Sequence, residues 1–119
     1  MILGIGTDII EIERIKNVSN YERFVNRILS DKEKELFYQF KSEKRQQEFL
    51  AGRFAVKEAL YKALGVLCDQ KEFIDFCILN NEQGAPYLAY PKIEKVHISI
   101  SHCEHYATAF VIYEKSQNL

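Results

Sequence analysis

The chain has 119 residues, 47% of them hydrophobic and 13% aromatic. That suffices for one core burying roughly two-thirds of the unfolded surface but not for two, so a single domain over residues 1–119 is expected. A formal net charge of −1 excludes a global drive toward nucleic acid or an anionic membrane, and any anion site must arise from local placement of the 16 Lys and Arg residues.

Cys68, Cys77 and Cys103 are odd in number and lack C-x-x-C spacing, against a disulfide framework or a thiolate zinc site. No apolar run approaches the ~20 residues of a spanning helix, and the apolar start breaks at Asp8 with no basic segment before it. These features fit a soluble protein of the reducing cytoplasm.

In chain order, Ile2 to Thr7 reads as a short strand, with Leu3, Ile5 and Thr7 on one face and Gly4, Gly6 and Asp8 on the other. Asp8 thus overlooks a face stripped of side chains. Helical spacing is expected from Ile9 through Ile12 and Ile15, a second short helix over about Tyr21 to Leu29, and a third opened by a Ser30/Glu33 capping box and burying Leu36, Phe37 and Phe40.

Ser42 suits the start of a long helix that Gly65 ends. Phe49, Val56, Ala59, Leu60 and Ala63 gather on its apolar side. Glu58 and Lys62 fall roughly opposite, and Arg53, Lys57 and Tyr61 form an adjoining polar row expected to face a cleft. Strands are expected over Phe73 to Leu79, Val96 to Ser101 and Tyr106 to Tyr113, with a weaker one near Tyr87 to Tyr90 after the turn Gly84-Ala85-Pro86. The short gap from Ser101 to Tyr106 favours an antiparallel hairpin, and helices followed by strands indicate an α+β fold. The tail from Lys115 to Leu119 is expected to fray.

Gly4-Ile5-Gly6 lacks the third glycine of a dinucleotide loop, because Ile9 stands there, and no βαβ unit follows. Asp8 has two readings: an N-cap reciprocated by Glu11, or an oxygen donor to a metal. Glu58 with Lys62 is by itself an ordinary solvated helix pair. Together, Asp8 and Glu58 can hold magnesium, which takes one or two carboxylates and completes its shell with water and phosphate, while Lys62 and Arg53 neutralise phosphate oxygens.

In the run from His97 to His102 the hydroxyls of Ser99 and Ser101 share a face with His97, and His102 lies just past the strand end. A Ser-His nucleophile pair has neither the elbow motif nor an acidic partner there. The stretch from Phe40 to Arg45 mixes basic and aromatic residues but is diluted by Glu43 and Glu48, so it reads as a solvated helix start.

Four segments, Gly4-Ile5-Gly6-Thr7-Asp8-Ile9, Arg53-Phe54-Ala55-Val56-Lys57-Glu58-Ala59-Leu60-Tyr61-Lys62-Ala63-Leu64-Gly65, Gly84-Ala85-Pro86 and Ser99-Ile100-Ser101-His102, together resemble the holo-acyl-carrier-protein synthases. These are 4′-phosphopantetheinyl transferases, and the length resembles their short bacterial type. The resemblance implies a small antiparallel sheet packed on a long central helix with short N-terminal helices. It implies transfer of 4′-phosphopantetheine from coenzyme A to a serine of apo acyl carrier protein, in fatty acid biosynthesis, with release of adenosine 3′,5′-bisphosphate.

The resemblance further implies magnesium, or manganese, on Asp8 and Glu58, with Lys62 near the pyrophosphate. Either Glu58 or a metal-bound water would take the serine proton. Arg53 and His102 match positions that hold the nucleotide, Gly65 and Pro86 line the coenzyme cleft, and Lys44 and Arg45 reinforce the phosphate grip. Arg14 matches the position that meets the acidic carrier helix, with Arg23 and Arg27 as secondary candidates. A homotrimer with sites at subunit interfaces is implied as well. Cys103 stands where a hydroxyl residue is common, close to where the coenzyme would lie. A regulatory nucleotide-binding module would not need two carboxylates, and a metal phosphohydrolase would carry more ligands.

Overall fold

A computed structural model describes residues 1–116 of the chain, so the expected frayed end lies, from residue 117 on, outside the described residues. The order of elements is β1 (Ile2–Glu11), α1 (Ile12–Lys16), α2 (Tyr21–Ile28), α3 (Asp31–Gln39), α4 (Glu43–Leu64), β2 (Cys77–Asn80), β3 (Pro86–Tyr90), β4 (Val96–His102) and β5 (Tyr106–Glu114). β1, β5 and β4 form an antiparallel sheet in that order, and β2 pairs antiparallel with β3. The fold is α+β, as the element pattern indicates.

β1 is longer than the sequence suggests. Helical spacing from Ile9 yields to a strand ladder in which Ile9, Ile10 and Glu11 pair with Thr108, Ala107 and Tyr106. β-branched Ile9 and Ile10 suit that pleated setting, and α1 begins only at Ile12. Asp8 is therefore a mid-strand residue opposite Ala109 and not a helix cap; the cap position falls on Glu11, which makes no side-chain cap bond. The run from Phe73 also splits, into a 3-10 turn over Phe73–Asp75 and a strand starting at Cys77.

Local chemistry sets the helix ends. Ser30 and Glu33 form the capping box of α3, the Ser42 hydroxyl accepts from the Arg45 N–H at the start of α4, and Gly65 ends α4 at φ +56°. The core lies between α4 and the inner face of the large sheet, where Ala55, Val56, Ala59 and Leu60 meet Ala107, Ala109 and Val111. Fully burying Leu50, Phe76 or Ile78 contributes about 1.5–3 kcal/mol each.

The expected polar row on α4 does not face one cleft. Lys57 is fully buried, and its ammonium is bonded to the equally buried Glu33 carboxylate and to the Ile28 carbonyl. The other Glu33 oxygen accepts from the Ile78 N–H, tying α3 and α4 to β2. Tyr61 turns toward Phe73 and Phe76 and donates to the Lys71 carbonyl. Spacing places these side chains on a helix face but does not say what covers that face, and here α2, α3 and β2 do.

The outer face of the large sheet is uncovered. On it lie Leu3, Ile5 and Ile9 of β1 and Tyr106 and Phe110 of β5, with Ile5 59%, Ile9 64% and Phe110 45% exposed. No helix among the described residues is long and apolar enough to cross a membrane.

Candidate active site

Two glycines bring the first strand onto the long helix. A Cβ at Gly4 would run into the Ala63 carbonyl, and one at Gly6 into the Ala59 carbonyl, so bare backbone is required at both contacts. Asp8 is the next residue on that face, and here strand and helix diverge enough to admit a side chain. Its carboxylate and that of Glu58 line one cavity of about 300 Å³ together with Arg14 from α1 and the rings of Phe24 and Phe54.

The electrostatics follow from this convergence. Burial, then repulsion from Asp8, push the Glu58 pKa above the ordinary carboxylate value, and Lys62 partly offsets them. Lys62 does not close the ordinary i,i+4 pair with Glu58. Its ammonium stands 3.7 Å from the Asp8 carboxylate and donates to the Thr7 carbonyl at 2.8 Å, bridging helix to strand. Two carboxylates facing one polar cavity, one resisting ionisation through burial and then the charge of the other, suit a divalent cation with water or phosphate in its remaining positions.

A second cleft, of about 140 Å³, lies nearer the start of α4. Arg45, Arg53 and His102 line it with Glu48, Asn80, Gly84 and Pro86. Arg53 is buried along its stem; its Nη2 donates to the Ile78 carbonyl at 2.9 Å and to Asn80 Oδ1 at 2.7 Å, and the guanidinium lies 4.3 Å from the Phe49 ring centroid. Its Nε, 4.0 Å from Glu33, is a buried donor without a partner among the described residues. Burial lowers the Arg53 pKa to about 10 against the opposing pull of Glu33, so the group is a fixed cation at neutral pH.

The other predicted residues are spread out. Lys44 borders a neighbouring cavity with Glu13, Lys16 and His105, which shares Glu48 with the cleft of Arg45. Gly65 ends α4 about 18 Å along the axis from Arg53 and so does not line the cleft of its own chain with Pro86. Arg14 reaches the Asp8 and Glu58 cavity, Arg27 borders another with Tyr61 and Lys71, and Arg23 lines neither of these. His102 is the last residue of β4 and not beyond it, and exposed Cys103 in the following turn lines neither site. Sequence reading took Glu48 only as a charge diluting a basic stretch and passed over Asn80. Glu48, one turn beyond Arg45, had a signal in that spacing; Asn80 reaches Arg53 only through the β2–β3 hairpin and had none.

A family model described as the 4′-phosphopantetheinyl transferase superfamily matches residues 4–111. A holo-[acyl-carrier-protein] synthase of Staphylococcus saprophyticus is 52% identical over 116 residues, 96% of this chain and 99% of the relative. The crystal structure of a holo-(acyl-carrier-protein) synthase from Bacillus anthracis in complex with CoA (3′,5′-ADP) superposes with TM-score 0.88 at 41% identity, over 98% of this chain and 99% of that one. That of the Helicobacter pylori enzyme in complex with coenzyme A gives 0.75 at 33% identity, over 90% and 96%. With its glycine-cleared strand end, paired carboxylates and full-length likeness to these proteins, the chain belongs to the 4′-phosphopantetheinyl transferase superfamily, and within it to the holo-[acyl-carrier-protein] synthases.

Proposed function

We propose that this protein transfers 4′-phosphopantetheine from coenzyme A to a serine of apo acyl carrier protein, releasing adenosine 3′,5′-bisphosphate, as a step of fatty acid and lipid biosynthesis in the cytoplasm. The observation that carries this reading is the convergence of Asp8, Glu58, Lys62 and Arg14 beside one cavity, in a chain of this family. The serine Oγ forms a bond to the phosphorus bearing pantetheine, and the bond from that phosphorus to the bridging pyrophosphate oxygen breaks. The electron pair leaves with the bisphosphate.

Asp8 and Glu58 are the residues that would hold magnesium, or manganese, which when bound supplies positive charge to the pyrophosphate oxygens. Lys62 adds a cation at the same edge, and Arg14 another on the α1 side. Glu58, lining the same cavity as Asp8, is the side chain of this chain that receives the serine proton. Positioning and charge stabilisation are what such a transfer needs, because phosphoryl chemistry asks for little else from a protein.

Arg53, His102 and Arg45 hold the 3′-phosphate of the nucleotide in the second cleft, with Pro86 along its wall; Arg14, Arg23 and Arg27 meet the acidic carrier. Arg53 and Glu58 lie five residues apart on α4, about 140° around the helix, so one copy presents its two half-sites in different directions. We place the coenzyme between copies of a homotrimer, the cleft of one copy with Pro86 meeting Gly65 and the carboxylates of the next. The uncovered apolar sheet face supports this arrangement, because patches of that kind mark association surfaces. Three free cysteines suit a reducing compartment.

The test is to incubate the protein with coenzyme A, magnesium and apo acyl carrier protein and to weigh the carrier by mass spectrometry. A phosphopantetheine adduct on one serine is expected, and its absence overturns the assignment.

A further inference from the structure

Among the side chains lining the second cleft, Glu48 is the one anion, and it stands among three basic groups. Its Oε1 is 3.1 Å from Arg45 Nη1 and its Oε2 is 3.8 Å from His102 Nδ1, so a single carboxylate spans both partners. The Glu48 side chain is only 9% exposed, whereas Arg45 and His102 are about half exposed. The anion is thus held at the floor, and Arg45 and His102 stand toward the opening. On its other side Glu48 borders the cavity of Lys44 and His105. A carboxylate and a phosphate are alternative acceptors for the N–H donors of an Arg and a His, and both cannot use the same donors fully.

We propose that Glu48 is a specificity-determining residue that competes with the incoming 3′-phosphate for Arg45 and His102 and thereby limits how tightly the cleft retains phosphorylated nucleotides. This rests on the reading of the cleft as the 3′-phosphate site. Coenzyme A and adenosine 3′,5′-bisphosphate carry the same phosphate, so the carboxylate weakens substrate and product by the same factor. Binding lost equally from the ground and transition states raises KM and leaves the chemical step alone, while the matching loss for product speeds its release. Without Glu48, Arg45, Arg53 and His102 would hold the spent nucleotide as firmly as the fresh coenzyme.

The experiment is calorimetric titration of the intact protein and of Glu48→Gln with coenzyme A, dephospho-coenzyme A and adenosine 3′,5′-bisphosphate at low salt, alongside steady-state kinetics. In Glu48→Gln the dissociation constants of coenzyme A and of the bisphosphate are expected to fall together, by about three- to tenfold for a carboxylate removed from a few ångströms away. Dephospho-coenzyme A should bind as before, and KM for coenzyme A should fall while kcat does not rise. Unchanged or weaker coenzyme A binding would mean that Glu48 orients the cations instead, and would overturn the proposal; so would an equal gain for dephospho-coenzyme A. If melting shows Glu48→Gln to be unfolded, Glu48→Asp, which draws the charge back from Arg45, is read in the same titrations and should shift the same way by less. Equal binding of coenzyme A and dephospho-coenzyme A by the unsubstituted protein would overturn the assignment of the cleft itself, whereas discrimination there with no response to Glu48→Gln would sink only the role of Glu48.

Discussion

Gly6 sets its bare α-carbon against the carbonyl oxygen of Ala59, the residue following Glu58 on α4. This contact fixes how close β1 approaches the helix, and so where Asp8, two residues on, stands relative to Glu58. Gly6→Ala must push strand from helix, because the obstacle is backbone and cannot rotate away. A loss of about 1–3 kcal/mol in denaturant unfolding is expected, with a larger fractional loss of activity than of folded protein. Native stability in that variant would show that the approach is not what positions the strand.

Repulsion from Asp8 contributes to the raised Glu58 pKa, so Asp8→Asn should lower it. A carboxyl whose folded pKa exceeds its unfolded value favours the fold below the unfolded pKa and loses that contribution as pH rises through the folded one. Carboxyl-carbon NMR of metal-free protein should place the Glu58 midpoint above the ordinary carboxylate range and lower it in Asp8→Asn. Added magnesium should lower it in the unsubstituted protein, and turnover should fall on acidification through the same midpoint. A midpoint indifferent to Asp8→Asn would mean that the two carboxylates do not interact.

How much of this was visible beforehand depends on the range of the cause. The capping box at Ser30, the ends of α4 at Ser42 and Gly65, and the glycine-cleared face before Asp8 are local, and their residues announce them. The extension of β1 through Glu11 is set by β5, nearly a hundred residues away, and local spacing pointed to a helix. Lys57 was misplaced for a similar reason: its partner Glu33 belongs to another helix, and in sequence a buried lysine looks like a solvated one.

Removing one half of the Glu33–Lys57 pair leaves the other charged and enclosed. Glu33→Gln should cost about 3–5 kcal/mol by equilibrium unfolding. Adding Lys57→Met should recover part of that loss, since the stranded ammonium is then gone. If the double variant is no more stable than Glu33→Gln, the penalty lies in the bond from Ile78 and not in the unpaired charge.

A charge on the uncovered sheet face discriminates between a lone chain and an assembly. Ile5→Glu should be almost neutral for folding in a lone chain, because Ile5 is 59% exposed there. In a trimer built on this face it should yield monomers in light scattering and lose most turnover, with coenzyme A binding weakened in parallel. A fully active monomer would remove the trimer from the mechanism.

The pairing of β1 with β5 runs from Ile2 opposite Glu114 to Glu11 opposite Tyr106 and joins the first strand of the fold to its last. A ribosome delivering this chain therefore emits Asp8 early and leaves it without a neighbouring strand until Tyr106–Glu114 has been synthesised. The nascent polypeptide can wind α4, and with it place Glu58, well before that moment. The large sheet that carries Asp8 is complete only once that final strand docks.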